Sequence, residues 1–384
     1  MRHQNIVMHD LVKRVPWARF AALTEAHRAG DRARGLTTKA HFLAMLYAQL
    51  AGASSLREIV DGLASHAPRL YHLGGVAVKR STLADANRWR QPAVFCGMLT
   101  TLMAQAHRGL RRAMAESVFL IDATVLPLTG RSADWAHFST GVCGAKAHVI
   151  YDPTTDCPLY VAVTGRAVND ITAAQAMPIE PGATYIFDLG YYDYAWWARL
   201  HTAGCRIVTR FKTNTPLTVS ETRTVAAEGT ILSDCIGYLP KRQANSRKNP
   251  FADPVREVCV RIETGKVLRI LSNDLTASAQ EIADLYKRRW AIELFFRWVK
   301  QTLKIRKFLG TSENAVRIQI AVALIAFLLL RLAQAAQHAV ESPLAFARLV
   351  RTNLMHRRRI DQLLKSERCQ PQNAAQIEFQ WATT

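Results

Sequence analysis

The sequence has no CxxC pair, and its seven cysteines are odd in number and scattered from Cys96 to Cys369. That pattern excludes a disulfide scaffold and a cysteine-built zinc site, and it fits a reducing cytoplasm. No apolar run is long enough to cross a bilayer. The longest, Ile318 to Leu330, is interrupted by Gln319 and bounded by Arg317 and Arg331, so it predicts a buried core helix. The opening MRHQNIVMHDLVKRV lacks the apolar stretch of a signal peptide. No internal repeat and no low-complexity tract is present. Acidic residues are scarce: 30 Asp and Glu stand against 50 Lys and Arg, a net charge of +20. A surplus of that size repels itself and makes sense beside a polyanion, nucleic acid first. Hydrophobic residues at 49% and charged ones at 21% exclude wholesale disorder, and 384 residues suffice for two or three domains.

Residues 1–90 predict helices. KAHFLAMLYAQLAG (39–52) has helical apolar spacing and ends in Gly, and SSLREIVDGLA (54–64) opens with Ser and carries Glu58 in its first turns. Beyond LGG (73–75), Ser81 is placed to cap a third helix in KRSTLADANRWR, whose Arg88 and Arg90 are candidate DNA contacts. Such a unit reads either as helix-turn-helix-like or as a plain helical bundle with a basic face. Residues 91–116 read as a helical connector.

From about residue 117 the period changes. SVFLIDATVLPL is an apolar run with one acid inside it, and AKAHVIYD and CPLYVAVTG flank Pro153–Asp156 as a hairpin. Helical ITAAQAMPI, strand-like TYIFDLGYY, helical DYAWWARLHTAG and strand-like RIVTRF follow. Residues 216–272 predict a β-rich insertion that includes the polar, basic stretch 241–254. A single long helix is expected over roughly 277–304, closing the α/β unit at 117–330, with a helical tail at 331–384. This order is that of a ribonuclease-H-like α/β domain.

Asp122 follows VFLI and Asp188 follows TYIF. An acid at the end of a buried strand is poorly placed for solubility alone. Carboxylates there suit Mg²⁺, and two ions about 3.5–4 Å apart can stabilise both the attacking and the leaving oxygen of an in-line displacement. The plainer reading makes each Asp a turn or cap residue. Asp193, in the same stretch as Asp188, is its rival. On the late helix Tyr286, Arg289, Glu293 and Lys300 lie within an arc of roughly 60° on an uninterrupted α-helix, beside an apolar stripe of Leu285, Ile292, Phe296, Val299 and Leu303. A surface ion pair explains Arg289 with Glu293 but not the other two.

The spacing Tyr286-x2-Arg289-x3-Glu293-x6-Lys300 resembles the Y-R-E-K signature of a large group of bacterial insertion-sequence transposases, the DDE enzymes with a ribonuclease-H-like catalytic domain. FLIDAT resembles the group's first acid motif and YIFDLGYYDY its second. SLREI and RSTLADANR resemble the helical N-terminal domain of one branch. The resemblance implies Asp122, Asp188 and Glu293 as ligands of two Mg²⁺ ions, replaceable by Mn²⁺. Tyr286, Arg289 and Lys300 would position DNA. It further implies hydrolysis at a transposon end, transfer of the freed 3′-hydroxyl to target DNA, a homodimer on paired ends, and action in the cytoplasm at the nucleoid. A ribonuclease-H-like nuclease and a non-catalytic DNA-binding regulator are the alternatives.

Other residues read more blandly. His148 reads as structural; Trp196, Trp197, Trp290 and Trp298 as core or interface, with base stacking as the alternative. Arg247, Lys248, Lys304 to Lys307 and Arg357 to Arg359 are candidate phosphate contacts, Lys304 foremost. Asn169 and Asp170 read as a cap for the helix behind them.

Overall fold

A computed structural model describes residues 6–27, 35–70, 73–111, 116–129, 132–139, 142–243, 247–302, 308–337 and 339–363. Helices come first: α1 (Val7–Val12), α2 (Trp17–Ala26), α3 (Thr38–Ala51), α4 (Leu56–Ser65), α5 (Ala67–Leu70), α6 (Arg80–Trp89) and α7 (Ala93–Leu110). Then come β1 (Val118–Leu128), the short α8 (Ala133–Ala136), β2 (His137–Ser139), β3 (Val142–Asp152) and β4 (Cys157–Gly165). Helices and strands next alternate: α9 (Asp170–Gln175), β5 (Thr184–Phe187), α10 (Tyr194–Thr202) and β6 (Arg206–Arg210). Strands β7 (Thr218–Arg223), β8 (Ile231–Tyr238), β9 (Arg242–Gln243), β10 (Arg247–Lys248), β11 (Val255–Arg261) and β12 (Val267–Ser272) follow. Helices α11 (Ala279–Arg288), α12 (Trp290–Thr302), α13 (Glu313–Ala335), α14 (Pro343–Asn353) and α15 (Ile360–Leu363) close the described chain.

Local signals set the helix ends. Thr37 accepts from the Ala40 N–H at the start of α3, and Gly52 ends it at φ +74°. At α4, Ser55 accepts from the Glu58 N–H while the Glu58 carboxylate takes the Ser54 N–H and hydroxyl. Ser81 does not cap α6. The helix starts at Arg80 with Lys79 as an N-cap that makes no side-chain bond, which puts Ser81 inside the first turn.

Among the described residues, ten strands form one sheet in the order β2-β3-β1-β5-β6-β12-β11-β8-β7, with β4 paired to β3. Strand β1 is antiparallel to β3 and parallel to β5, and β5 is parallel to β6. Alternation along the strands gives each face its own core. Val118, Leu120 and Ile186 join the helical core with α3, α7 and α13; Phe119, Ile121 and Tyr185 join a second core with Trp196 and Trp197 of α10. Within residues 216–272, β7, β8, β11 and β12 extend this same sheet, with β12 hydrogen-bonded to β6, while β9 and β10 pair with each other.

Two expectations need correction. The single helix over 277–304 is two helices, α11 and α12, broken at Arg289. There the N–H of Arg289 bonds Tyr286 O at 3.0 Å and the Ile292 N–H bonds Arg289 O at 3.3 Å, a turn tightened to i,i+3 spacing. The divisions at residues 90 and 331 do not separate cores either. One cluster runs from Ile6 to Ile360, and Val7 and Met8 donate to His356 O and Leu354 O. The helical beginning and tail therefore lock onto each other over α13. That 23-residue helix is apolar enough to cross a membrane by length and composition, but 83% of its apolar window is buried inside the fold.

Candidate active site

The register of the sheet brings the strand acids together. Leu120 of β1 lies beside Ile186 of β5 in a parallel pair, so Asp122 and Asp188, each two residues further on, stand at the same level: Asp188 just past the end of β5, and Asp122 inside β1, which runs on to Leu128, rather than at a strand end. Asp122 Oδ1 accepts from the Ala123 N–H at 2.8 Å, and Asp188 Oδ1 from the Gly190 N–H at 2.8 Å at the start of a 3-10 turn, Leu189–Tyr191. Helix α12 packs on β1 and presents Glu293 from its first turn. Asp122, Thr124, Glu293, Arg297 and Lys300 line one cleft of about 350 Å³.

The charges within it act on each other. Burial pushes the Asp122 carboxyl up to about 6, and the charges of Asp188 and Glu293 add to that, while the Ala123 N–H and Arg289 oppose it. Arg289 Nη2 bonds Glu293 Oε1, and its Nη1 stands 3.7 Å from Asp122 Oδ2. Its buried Nε has no hydrogen-bond partner. Among the described residues no three Asp, Glu, His or Cys side chains form a ready-made cation cage.

The other expected residues are distributed unevenly. Tyr286 is buried at the end of α11, with the Arg289 guanidinium 5.8 Å from its ring centroid. Burial, ahead of any charge, pushes its phenol up. Asp193 is a helix cap, accepting from the Trp196 N–H at 2.8 Å. Arg88 is exposed and stacks on Trp89 at 4.7 Å. Arg90 instead turns inward, donating to the backbone oxygens of Leu36 and Thr37. Lys304 lies outside the described residues. Trp196 and Trp197 are core, whereas Trp290 is exposed beside Glu293.

Asp170 was missed. Its side chain caps nothing: Asn169 is the N-cap of α9 and makes no side-chain bond, while Asp170 Oδ1 takes the Lys146 ammonium at 3.0 Å. A signal was present in the alternation of Lys146 and His148, which puts both on one face of β3.

A family model for the transposase DDE domain matches residues 113–329. The chain belongs to this family, the DDE transposases of insertion sequences. A second model, a domain of unknown function (DUF4372), matches residues 3–75. "Putative transposase y4zB" of Sinorhizobium fredii is 42% identical over 282 residues, covering 72% of this chain and 78% of that protein. "Probable transposase for insertion sequence element IS5377" of Geobacillus stearothermophilus is 30% identical over 244 residues, 61% of this chain and 62% of that one. Among solved structures, the piggyBac transposase synaptic complex with hairpin DNA aligns over 95% of this chain and 81% of that one at 11% identity, with a TM-score of 0.44. That likeness is too distant to bear on individual residues. The chain is a transposase by family, hence a DNA-processing enzyme, and its fold is mixed α/β.

Proposed function

We propose that this transposase binds the ends of its insertion sequence, cleaves the DNA there by metal-dependent hydrolysis and joins the freed 3′-hydroxyl to target DNA. The observation that carries the reading is the shared level of Asp122 and Asp188 on parallel strands, with Glu293 in the same cleft as Asp122. The strand succession β4-β3-β1-β5-β6, antiparallel and then parallel, supports a ribonuclease-H-like catalytic core. Tyr286, Arg289, Glu293 and Lys300 support placement in the Y-R-E-K subgroup.

Asp122, Asp188 and Glu293 would hold the divalent cations, two Mg²⁺ or Mn²⁺. Their carboxylates are the hard oxygen donors such ions take, and the mutual repulsion felt at Asp122 is what a cation relieves. Bound there, the cations supply charge stabilisation for the attacking and leaving oxygens. Lys300 and Arg297, on the wall of the cleft, grip phosphates and set the scissile strand against the carboxylates. Arg88 holds DNA at a distance from the acids. Two copies act on paired ends, at the nucleoid.

The test is conservative replacement of each acid. Asp122→Asn, Asp188→Asn and Glu293→Gln remove a charged ligand and almost no volume. Each should abolish cleavage of end DNA while the protein stays folded and keeps its DNA affinity. An Asp188→Asn protein that cleaves at the wild-type rate removes Asp188 from the site.

A further inference from the structure

Gly190 sits between two carboxylates. A methyl group at its Cα would meet Asp188 Oδ1 at 3.1 Å and Asp170 Oδ2 at 3.2 Å. Asp170 therefore faces the acid site next to Asp188, across a residue that only glycine can fill without displacing one of them. It is clamped from behind. Lys146 Nζ donates to its Oδ1 at 3.0 Å and to Val168 O at 3.0 Å, and His148 Nδ1 lies 3.8 Å from the same oxygen.

Two buried polar atoms stand in this group without a hydrogen-bond partner. The Tyr191 hydroxyl, on a side chain with no exposed surface, has no hydrogen-bond partner, and neither does Nδ1 of the equally buried His148. Unsatisfied buried groups are costly and uncommon, and they gather where a ligand completes them. Burial first, and then the charges of Asp122, Asp170 and Asp188, push the Tyr191 phenol up.

We propose that Asp170 is a positioning residue of the cation site, a fourth carboxylate that fixes the Asp188 turn and adds its negative field to that of the three ligands. The inference rests on the proposed role of Asp122, Asp188 and Glu293. Lys146, bonded to Oδ1, tempers the field. Carboxylates that support ligands in this way typically change metal affinity by about 10–100-fold when removed.

The experiment is Mn²⁺ titration of the full-length protein bound to end DNA, for wild type, Asp170→Asn, Asp170→Glu and Lys146→Met, with folding checked by circular dichroism. Asp170→Asn should weaken Mn²⁺ binding by about tenfold, and Asp170→Glu should restore most of it. Lys146→Met removes a positive charge and leaves the carboxylate, so it should keep or raise the affinity. If Asp170 only anchors β3 through an ion pair, Lys146→Met will lose affinity as Asp170→Asn does, and the proposal is overturned. Equal affinity of wild type and Asp170→Asn overturns it too while leaving the acid site intact. Should Asp170→Asn fail to fold, the Lys146→Met and Asp170→Glu results still decide between a field and an anchor. A wild-type complex that takes no Mn²⁺ overturns the acid-site reading and this inference with it.

Discussion

Arg289 bonds Glu293 one helical turn further on, and the same guanidinium reaches to 3.7 Å from Asp122. One fixed cation thus stands between two of the three proposed cation ligands, held where the α11–α12 break places it. Arg289 occupies part of the charge environment that a divalent ion would enter. A phosphate is a stronger partner for a guanidinium than a shared carboxylate edge, so arriving DNA would draw Arg289 off and open the acids. Arg289→Gln should then raise Mn²⁺ affinity in the absence of DNA. A unit charge near 4 Å is worth about 1 kcal/mol even in water, roughly fivefold in affinity. The same variant should bind end DNA less well. Unchanged Mn²⁺ affinity would show that the side chain swings clear without cost.

Asp122 gives a pH dependence with a defined sign. Its carboxyl moves from an ordinary 3.8 to about 6, chiefly through burial. A carboxyl that binds its proton more tightly when folded contributes stability at low pH and loses it as pH rises through the window from about 4 to 6. Asp122→Asn lacks that loss. It should be more stable than wild type at pH 7.5, by about 1–2 kcal/mol after allowance for partial exposure, with the gap closing below pH 4. Urea unfolding of both metal-free proteins at pH 4 and pH 7.5 measures it. A gap of the same size at both values would mean that something other than ionisation separates them. Cation binding must also displace that proton, so Mn²⁺ affinity should fall as pH drops below about 6.

Much of this was legible in the sequence. The hairpin at Pro153–Asp156, the strand before Asp188 and the capped helices α3 and α4 follow from alternation, turn residues and caps, all local signals. The helix break at Arg289 was not legible, because no Pro or Gly marks it; a tightened turn among good helix formers leaves no trace in composition. Nor was the union of the first and last helices, since apolar periodicity says that a face is buried but not against what. Asp170 was hidden for a related reason. An Asp at a helix start satisfies the capping pattern, and only the fold reveals that its partner is Lys146 on a neighbouring element.

Lys300 lines the same cleft as Asp122 and Glu293 from further along α12. It lies seven positions beyond Glu293, about 10.5 Å along a helix axis, which suits a grip on a phosphate beyond the scissile one. Lys300→Ala should weaken end-DNA binding and reduce the salt dependence by about 0.9 in log–log slope, the share of one phosphate. Mn²⁺ affinity should remain, because no proposed ligand has gone. Loss of Mn²⁺ affinity with an unaltered salt slope would instead make Lys300 a support for the acids.

Arg88 and Arg90 stand two residues apart at the end of α6, and the structure gives them opposite surroundings. Arg90 donates to Leu36 O and Thr37 O, tying the end of α6 to the start of α3. Its removal takes a donor from the part-buried Leu36 carbonyl and one from the exposed Thr37 carbonyl, which keeps the His41 N–H, and hydrogen bonds from charged groups are worth about 1.5–3 kcal/mol. Arg90→Ala should therefore destabilise the fold by about 2 kcal/mol, and at a temperature where it stays folded its salt slope for DNA binding should match wild type. Arg88 is exposed, stacked on Trp89, and lines a cleft of about 350 Å³ with Asn87, Trp135 and Ser312. Arg88→Ala should leave stability within about 0.5 kcal/mol and cost the DNA complex one phosphate's share of the salt slope. Unfolding curves and salt-series binding on the two variants separate the roles. If Arg90→Ala is as stable as wild type but binds DNA with a shallower slope, its bonds to Leu36 and Thr37 give way to phosphate, and α6 approaches DNA by its end rather than by its exposed side.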